Sequence, residues 1–327
     1  MSQQSEALKK KMKGIFHLVV THFDEKGNVD EAAIRKAVRY STGAFQGEDA
    51  VFVTTGSTAE FYALTDEECL NIINIVVDEV NGEFPVLAGT ARGGTKWTIE
   101  LSRAAQDAGA DGVLIVNPYY QLATHDGLYR HFEQTASSID IGIMIYNNPV
   151  HSKLWIPPPL MAKLSKIDNI VAVKENTESA AKFYWMQRAV DPEDLVIICG
   201  IGHIMYPFEA LFDCPGFFTE FGNFAPQIAI AIYRAFCNRD HTQLKELTDR
   251  IAPYFDLKVK LGARRGELPT VLSPYICSSG VSVYQSILKQ SMEIVGLPGG
   301  RVREPVENIS KQEKEELREV LHNIGVC

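Results

Sequence analysis

The chain has 327 residues, of which 46% are hydrophobic and 22% charged, the composition of an ordinary globular protein with a large core. Its net charge of −9 argues against a nucleic-acid partner or an anionic membrane surface, and no apolar run approaches the ~18 residues that span a bilayer. Met1–Lys13 lacks the apolar core of a signal peptide, and the six cysteines (Cys69, Cys199, Cys214, Cys237, Cys277, Cys327) are scattered singly with no Cys-x-x-Cys pair; reduced thiols, a cytoplasmic setting, and neither a disulfide framework nor a zinc site are therefore expected.

In chain order, apolar β-type runs alternate with helix-patterned segments. Strands are predicted near Gly14–Val20, Ala50–Thr54, Phe84–Gly89, Gly112–Val116, Gly142–Tyr146, Ile170–Lys174, Leu195–Cys199 and Gly216–Phe221. Helical patterns fall at Asp30–Thr42, Asp66–Val80, Lys96–Ala108, Leu128–Ser138 and Pro159–Ser165, and Thr65 followed by Asp66-Glu67-Glu68 reads as a capped start. From Phe224 the text is helical to the end, with Ile228–Asn238, Thr242–Tyr254, Val281–Val295 and Lys311–Ile324. Eight strands in about 230 residues point to a closed (β/α)8 TIM barrel, residues 1–223, followed by a helical carboxyl-terminal domain, residues 224–327. The alternative is a doubly wound sheet, but no Gly-x-Gly-x-x-Gly follows the first strand.

In such a barrel the reactive groups stand at the carboxyl ends of the strands. The run Ile170-Val171-Ala172-Val173 ends in Lys174, and a partly desolvated amine there can attack a carbonyl as a Schiff-base nucleophile; the plain alternative is a lysine paired with a nearby carboxylate. The second strand leads into Thr54-Thr55-Gly56-Ser57-Thr58-Ala59-Glu60, suited to holding a carboxylate through N–H and O–H donors, or to satisfying its own turn. The fourth strand leads into Asn117-Pro118-Tyr119-Tyr120, and the fifth ends at Tyr146 before Asn147-Asn148-Pro149. A phenol beside an ammonium or iminium has its pKa lowered and can shuttle a proton.

These motifs, Gly56-Ser57-Thr58-Ala59-Glu60, Pro118-Tyr119-Tyr120, Tyr146-Asn147-Asn148-Pro149 and Val173-Lys174-Glu175, stand in an order and spacing that resembles the dihydrodipicolinate synthase/N-acetylneuraminate lyase family over nearly the whole chain. The resemblance implies a class I lyase on a (β/α)8 barrel, assembled as a homotetramer (a dimer of dimers), acting on a 2-oxo acid such as pyruvate. It needs no cofactor beyond a covalent imine through Lys174. It implies Tyr146 as proton relay, Ser57 and Tyr120 extending that relay with Tyr120 reaching in from a neighbouring subunit, and Thr58 with the Ser57–Thr58 backbone holding the carboxylate.

The departures bear on the substrate. His151 stands where the synthases of lysine biosynthesis carry an arginine that binds a second carboxylate, which disfavours that activity. Ala59 replaces a glycine, which would strain the turn if φ > 0 were required there. His22, in Thr21-His22-Phe23, is either an extra polar group in the site or a buried histidine paired to backbone. Glu220, read as inside the eighth strand, is a candidate substrate contact or a salt-bridged structural carboxylate. With Gly56, His151 and Gly200 it completes the expected binding set, neutral or donor groups compatible with a polyol tail. The leading expectation is a pyruvate-releasing or pyruvate-using aldolase acting on a 2-keto-3-deoxy sugar acid. A dehydratase of the same substrates comes second, then dihydrodipicolinate synthase, then a non-catalytic 2-oxo-acid-binding relative. A phosphate-binding isomerase would rest on Gly200-Ile201-Gly202 alone.

Overall fold

Runs such as Ala50-Val51-Phe52-Val53 and Ile170-Val171-Ala172-Val173 do not alternate polar with apolar, which is the mark of strands covered on both faces. In the computed structural model, which describes residues 2–266 and 281–327, they form eight parallel strands: β1 (Gly14–Leu18), β2 (Ala50–Thr54), β3 (Val86–Gly89), β4 (Gly112–Val116), β5 (Gly142–Asn147), β6 (Ile170–Glu175), β7 (Val196–Cys199) and β8 (Gly216–Thr219). Each pairs with the next, and β8 returns to β1 through Gly14↔Gly216 to His17↔Thr219, so the sheet is a closed barrel. Every strand residue except Val196 is buried.

The helices between strands start where short polar side chains cap them. Asp30 accepts from Ala33 N at 3.0 Å, and Thr65 with Glu68 forms a reciprocal capping box. Two barrel helices escape sequence reading, Ala180–Ala189 between β6 and β7 and the short Tyr206–Ala210 between β7 and β8; large aromatics on their exposed sides blur the amphipathic pattern. The amino terminus also forms a helix, Gln3–Lys10, capped by Ser2. Its Leu8 closes the lower mouth of the barrel: a Cβ at Gly112 or Gly142 would lie 2.6 or 2.7 Å from the Leu8 side chain.

Three expectations are corrected. β8 ends at Thr219, and Glu220 is not in it; it opens a 3-10 turn, Phe221–Asn223. The helix predicted to stop at Tyr254 runs His241–Arg264 straight through Pro253, because the buried stripe Ile251, Tyr254, Leu257 and Leu261 continues at helical spacing and outweighs one lost backbone bond. The segment Val281–Val295 divides into a 3-10 turn at Val281–Val283 and a helix at Tyr284–Ile294. Among the described residues the five cysteines are free, Cys277 lying outside them, and no helix is long and apolar enough to cross a membrane.

Candidate active site

Register puts the two most reactive side chains next to each other. Tyr146 on β5 is the direct partner of Lys174 on β6, so both emerge on the same side at the carboxyl end of the barrel. The Lys174 Nζ lies 4.0 Å from the Tyr146 ring centroid and 4.0 Å from that of Phe218, and among the described residues it makes no ion pair. Burial without a carboxylate partner lowers its pKa from the ordinary lysine value to about 7. The alternative of a salt-locked lysine is thereby removed. Room for the side chain is left by Gly200 after β7, where a Cβ would come within 2.9 Å of Lys174 Cγ and 2.7 Å of the Glu175 carbonyl.

The cavity above Lys174 has a volume of about 180 Å³. Tyr146, buried, accepts a hydrogen bond from Asn148 Nδ2 at 2.8 Å and is also bonded to the Ser57 hydroxyl. Its phenol pKa is raised by burial, with those two bonds opposing; the lowering expected from a neighbouring ammonium is absent because Lys174 itself is desolvated toward its neutral form. Asn148 also meets His151 Nδ1 at 3.1 Å, so one amide orients both phenol and imidazole. Desolvation of its ring, and then Lys174, hold His151 below the usual histidine range.

Among the described residues the turn after β2 leaves two N–H groups without a partner. Ala59 N and Glu60 N bond back to Gly56 and Ser57 carbonyls, both at 3.1 Å, whereas among the described residues nothing accepts from the N–H groups of Ser57 and Thr58. The positive φ values fall on Thr55 (50°) and Glu60 (58°), not on Ala59, so alanine in place of glycine costs the turn nothing. Glu60 is fixed by Lys289 Nζ at 2.5 Å and Arg303 N at 2.8 Å, deep under the helix Tyr284–Ile294.

Ser57, Thr58, Tyr146, His151, Lys174, Gly200 and Glu220 therefore come together around one cavity. Gly56 does not; it lines a small adjoining recess behind Ser57 and Tyr146. Tyr120 is 85% exposed and turned away from its own chain's cavity. His22 is the buried, backbone-paired histidine, with Nδ1 3.0 Å from Gly299 O, and takes no part in the cavity wall. The Gly200 N–H is spent on the Glu175 carbonyl at 2.8 Å, which leaves the Gly200–Gly202 turn a poor phosphate cradle.

Sequence reading missed one wall entirely. Lys258 from His241–Arg264, and Tyr284 and Gln285 from Tyr284–Ile294, close the cavity opposite the barrel. Tyr284 OH is 3.0 Å from Thr58 Oγ1, Gln285 Nε2 donates to Ser57 O at 3.1 Å, and buried Lys258 is ion-paired with buried Glu220. The available signal was a lysine at a core position, four residues after Tyr254 on the apolar stripe.

Comparison with known proteins agrees with this architecture. Residues 11–266 match the model of the dihydrodipicolinate synthetase family. The chain belongs to that family. It is 30% identical over 309 residues to the 4-hydroxy-tetrahydrodipicolinate synthase of Methanothrix thermoacetophila, covering 94% of this chain and 96% of that one. A synthase of the same name from Pelobacter propionicus is 36% identical over 236 residues, 72% of this chain and 79% of its own. Among solved structures, dihydrodipicolinate synthase from Oceanobacillus iheyensis superposes with a TM-score of 0.85 at 25% identity, covering 98% of each chain. A prophage protein of the family from E. coli K12, solved in complex with pyruvate, superposes with a TM-score of 0.84 at 26% identity over 97% of this chain and 99% of its own. The chain is thus an enzyme, a Schiff-base lyase of the carbon–carbon class to which these synthases belong.

Proposed function

We propose that Lys174 condenses with a 2-oxo acid and that the chain makes or breaks the adjacent carbon–carbon bond, with pyruvate as the released or consumed fragment and a 2-keto-3-deoxy sugar acid as the longer partner. The observation that carries this reading is a buried lysine with a pKa near 7, unpaired and lying against a phenol. Burial favours the free amine that attacks a ketone. The Thr58 hydroxyl and the N–H groups of Ser57 and Thr58 offer three donors for the carboxylate, which turns the ketone carbon toward the amine. Loss of water leaves an iminium.

That cation, formed where Lys174 stands against Tyr146, lowers the phenol pKa and makes its oxygen a competent proton acceptor. In cleavage, the hydroxyl two carbons from the iminium carbon gives its proton to Tyr146, the intervening carbon–carbon bond breaks, and its electron pair neutralises the iminium as an enamine. The aldehyde leaves. Protonation of the enamine and hydrolysis return pyruvate and the free amine. Ser57, bonded to Tyr146, carries the proton onward, and Tyr120 of a neighbouring subunit completes the path in a homotetramer.

A second reading, synthase activity on a carboxylated aldehyde, is favoured by the names of the relatives. It is opposed by His151 at the position where the resemblance calls for a guanidinium fork. Both readings, and a dehydratase, share the imine and diverge only once it has formed. Borohydride with pyruvate should raise the mass of the Lys174 peptide by one reduced 2-oxo acid less water; an unchanged peptide ends the imine reading. Product analysis with ketodeoxy acids, pyruvate against dehydrated acid, then separates cleavage from water loss.

A further inference from the structure

The cavity contains a second lysine whose position the imine chemistry does not require. Lys258 reaches in from the carboxyl-terminal helices, and Glu220 meets it from the turn after β8. Each is only 6% exposed. The ammonium is caged by aromatic faces, 4.6 Å from the ring centroids of Tyr254 and Tyr284 and 4.9 Å from that of Phe255. A buried ion pair gives little net stability against an apolar pair of similar volume, so its place in a cavity wall points to a use beyond packing.

We infer that Glu220 and Lys258, with the Tyr284 hydroxyl between them and Thr58, form a hydroxyl-reading wall that selects a neutral polyol tail on the 2-oxo acid and rejects a tail ending in a carboxylate. This rests on the imine reading above. The pair is neutral as a unit and offers both hydrogen-bond roles. Among the described residues Lys258 spends one of its three N–H donors on Glu220, and the carboxylate, which also meets the Tyr254 and Tyr284 hydroxyls, keeps one of its roughly four acceptor positions. A sugar hydroxyl can accept from the one and donate to the other. A second carboxylate would gain the ammonium but lie beside Glu220, so repulsion cancels the gain. Lys258 therefore does not stand in for the arginine that the chain lacks at position 151; Glu220 has already claimed its charge.

The test is borohydride trapping with three 2-oxo acids that differ only beyond the reacting ketone: pyruvate with no tail, 2-oxoglutarate with a carboxylate tail, and 2-keto-3-deoxygluconate with a polyol tail. Half-saturating concentrations, each taken relative to pyruvate, are read from the Lys174 peptide, and a cleaved substrate is recognised by the mass of the pyruvate adduct. The native protein should show at least a tenfold preference for the polyol acid over 2-oxoglutarate. Glu220→Gln, which releases the Lys258 charge, should reverse the order. The double variant Glu220→Gln, Lys258→Met leaves no unpaired charge and should lose the polyol preference without gaining the carboxylate one, so the inference stays testable if the single variant fails to fold. Equal half-saturation for the two tailed acids in the native protein, or an unchanged order in both variants, overturns the inference while leaving the imine reading intact. Absence of any pyruvate adduct on the native protein overturns that reading instead.

Discussion

At the scale of single residues, the proposed chemistry concentrates in Lys174 and in the effect of its surroundings on one proton. Burial lowers its pKa from 10.5 to about 7, so the fraction able to attack a ketone rises with pH through that value and then levels off. The initial rate of pyruvate trapping should accordingly rise with a midpoint near pH 7 and stay flat above pH 8.5; a midpoint above pH 9 would show an ordinary, solvated amine. In the proposed cycle Tyr146 works at a later step. Tyr146→Phe should leave trapping in place and lower turnover by about 10²–10⁴, the usual worth of a placed proton carrier, measurable as intact adduct formation beside lost product. Lys174, Tyr146, Ser57 and Thr58 could all be found in the sequence, because a reactive side chain at the end of an apolar strand is a local pattern. Asn148 was within the quoted motif, yet its task, a 2.8 Å bond that aims the phenol, depends on a side-chain orientation no spacing encodes.

At the scale of elements, the eight strands were readable to within a few residues because, His17 in β1 apart, their buried runs carry polar residues only at their ends. The cavity's far wall was not, because it is made by tertiary docking: Lys258 and Tyr284 acquire a role only when two late helices fold back over the turn after β2. The clamp that holds them there is the fully buried pair of Lys289 and Glu60. Glu60 adopts a left-handed backbone, φ 58°, at the exit of the turn after β2, and Lys289 also donates to Arg301 O at 2.8 Å. Replacing Lys289 by Met strands a buried carboxylate, which costs about 3–5 kcal/mol, and should shift the urea midpoint downward. Adding Glu60→Gln should recover a large part of that loss. If the single variant unfolds no earlier than the native chain, the pair is not the clamp.

At the scale of the whole molecule, the exposed large apolar side chains fall into two groups on opposite sides of the barrel. Tyr62, Trp97, Tyr120 and Leu122 come after β2, β3 and β4; Tyr184, Trp185, Phe208, Leu211 and Phe212 come after β6 and β7. In the second group Tyr184 packs 5.6 Å from Trp185 and 5.3 Å from Phe212, ring centroid to centroid, a contiguous apolar face of the kind that marks an interface. Two separate apolar faces on one chain fit the proposed homotetramer, in which each chain makes two kinds of contact. The faces should not be equivalent for activity, since in the proposed relay the Tyr120 face alone offers a phenol to a neighbour's cavity. Trp185→Glu places a charge on the second face and should reduce the sedimenting species to two chains with turnover retained. Leu122→Glu, two residues from Tyr120, should break the first contact and lower turnover to the level of Tyr120→Phe. Sedimentation velocity with parallel assays decides the matter: a fully active Tyr120→Phe would remove Tyr120 from the relay and leave the proton to exit within a single chain, whereas a two-chain Trp185→Glu species without activity would show that the second face, not the Tyr120 face, completes the site.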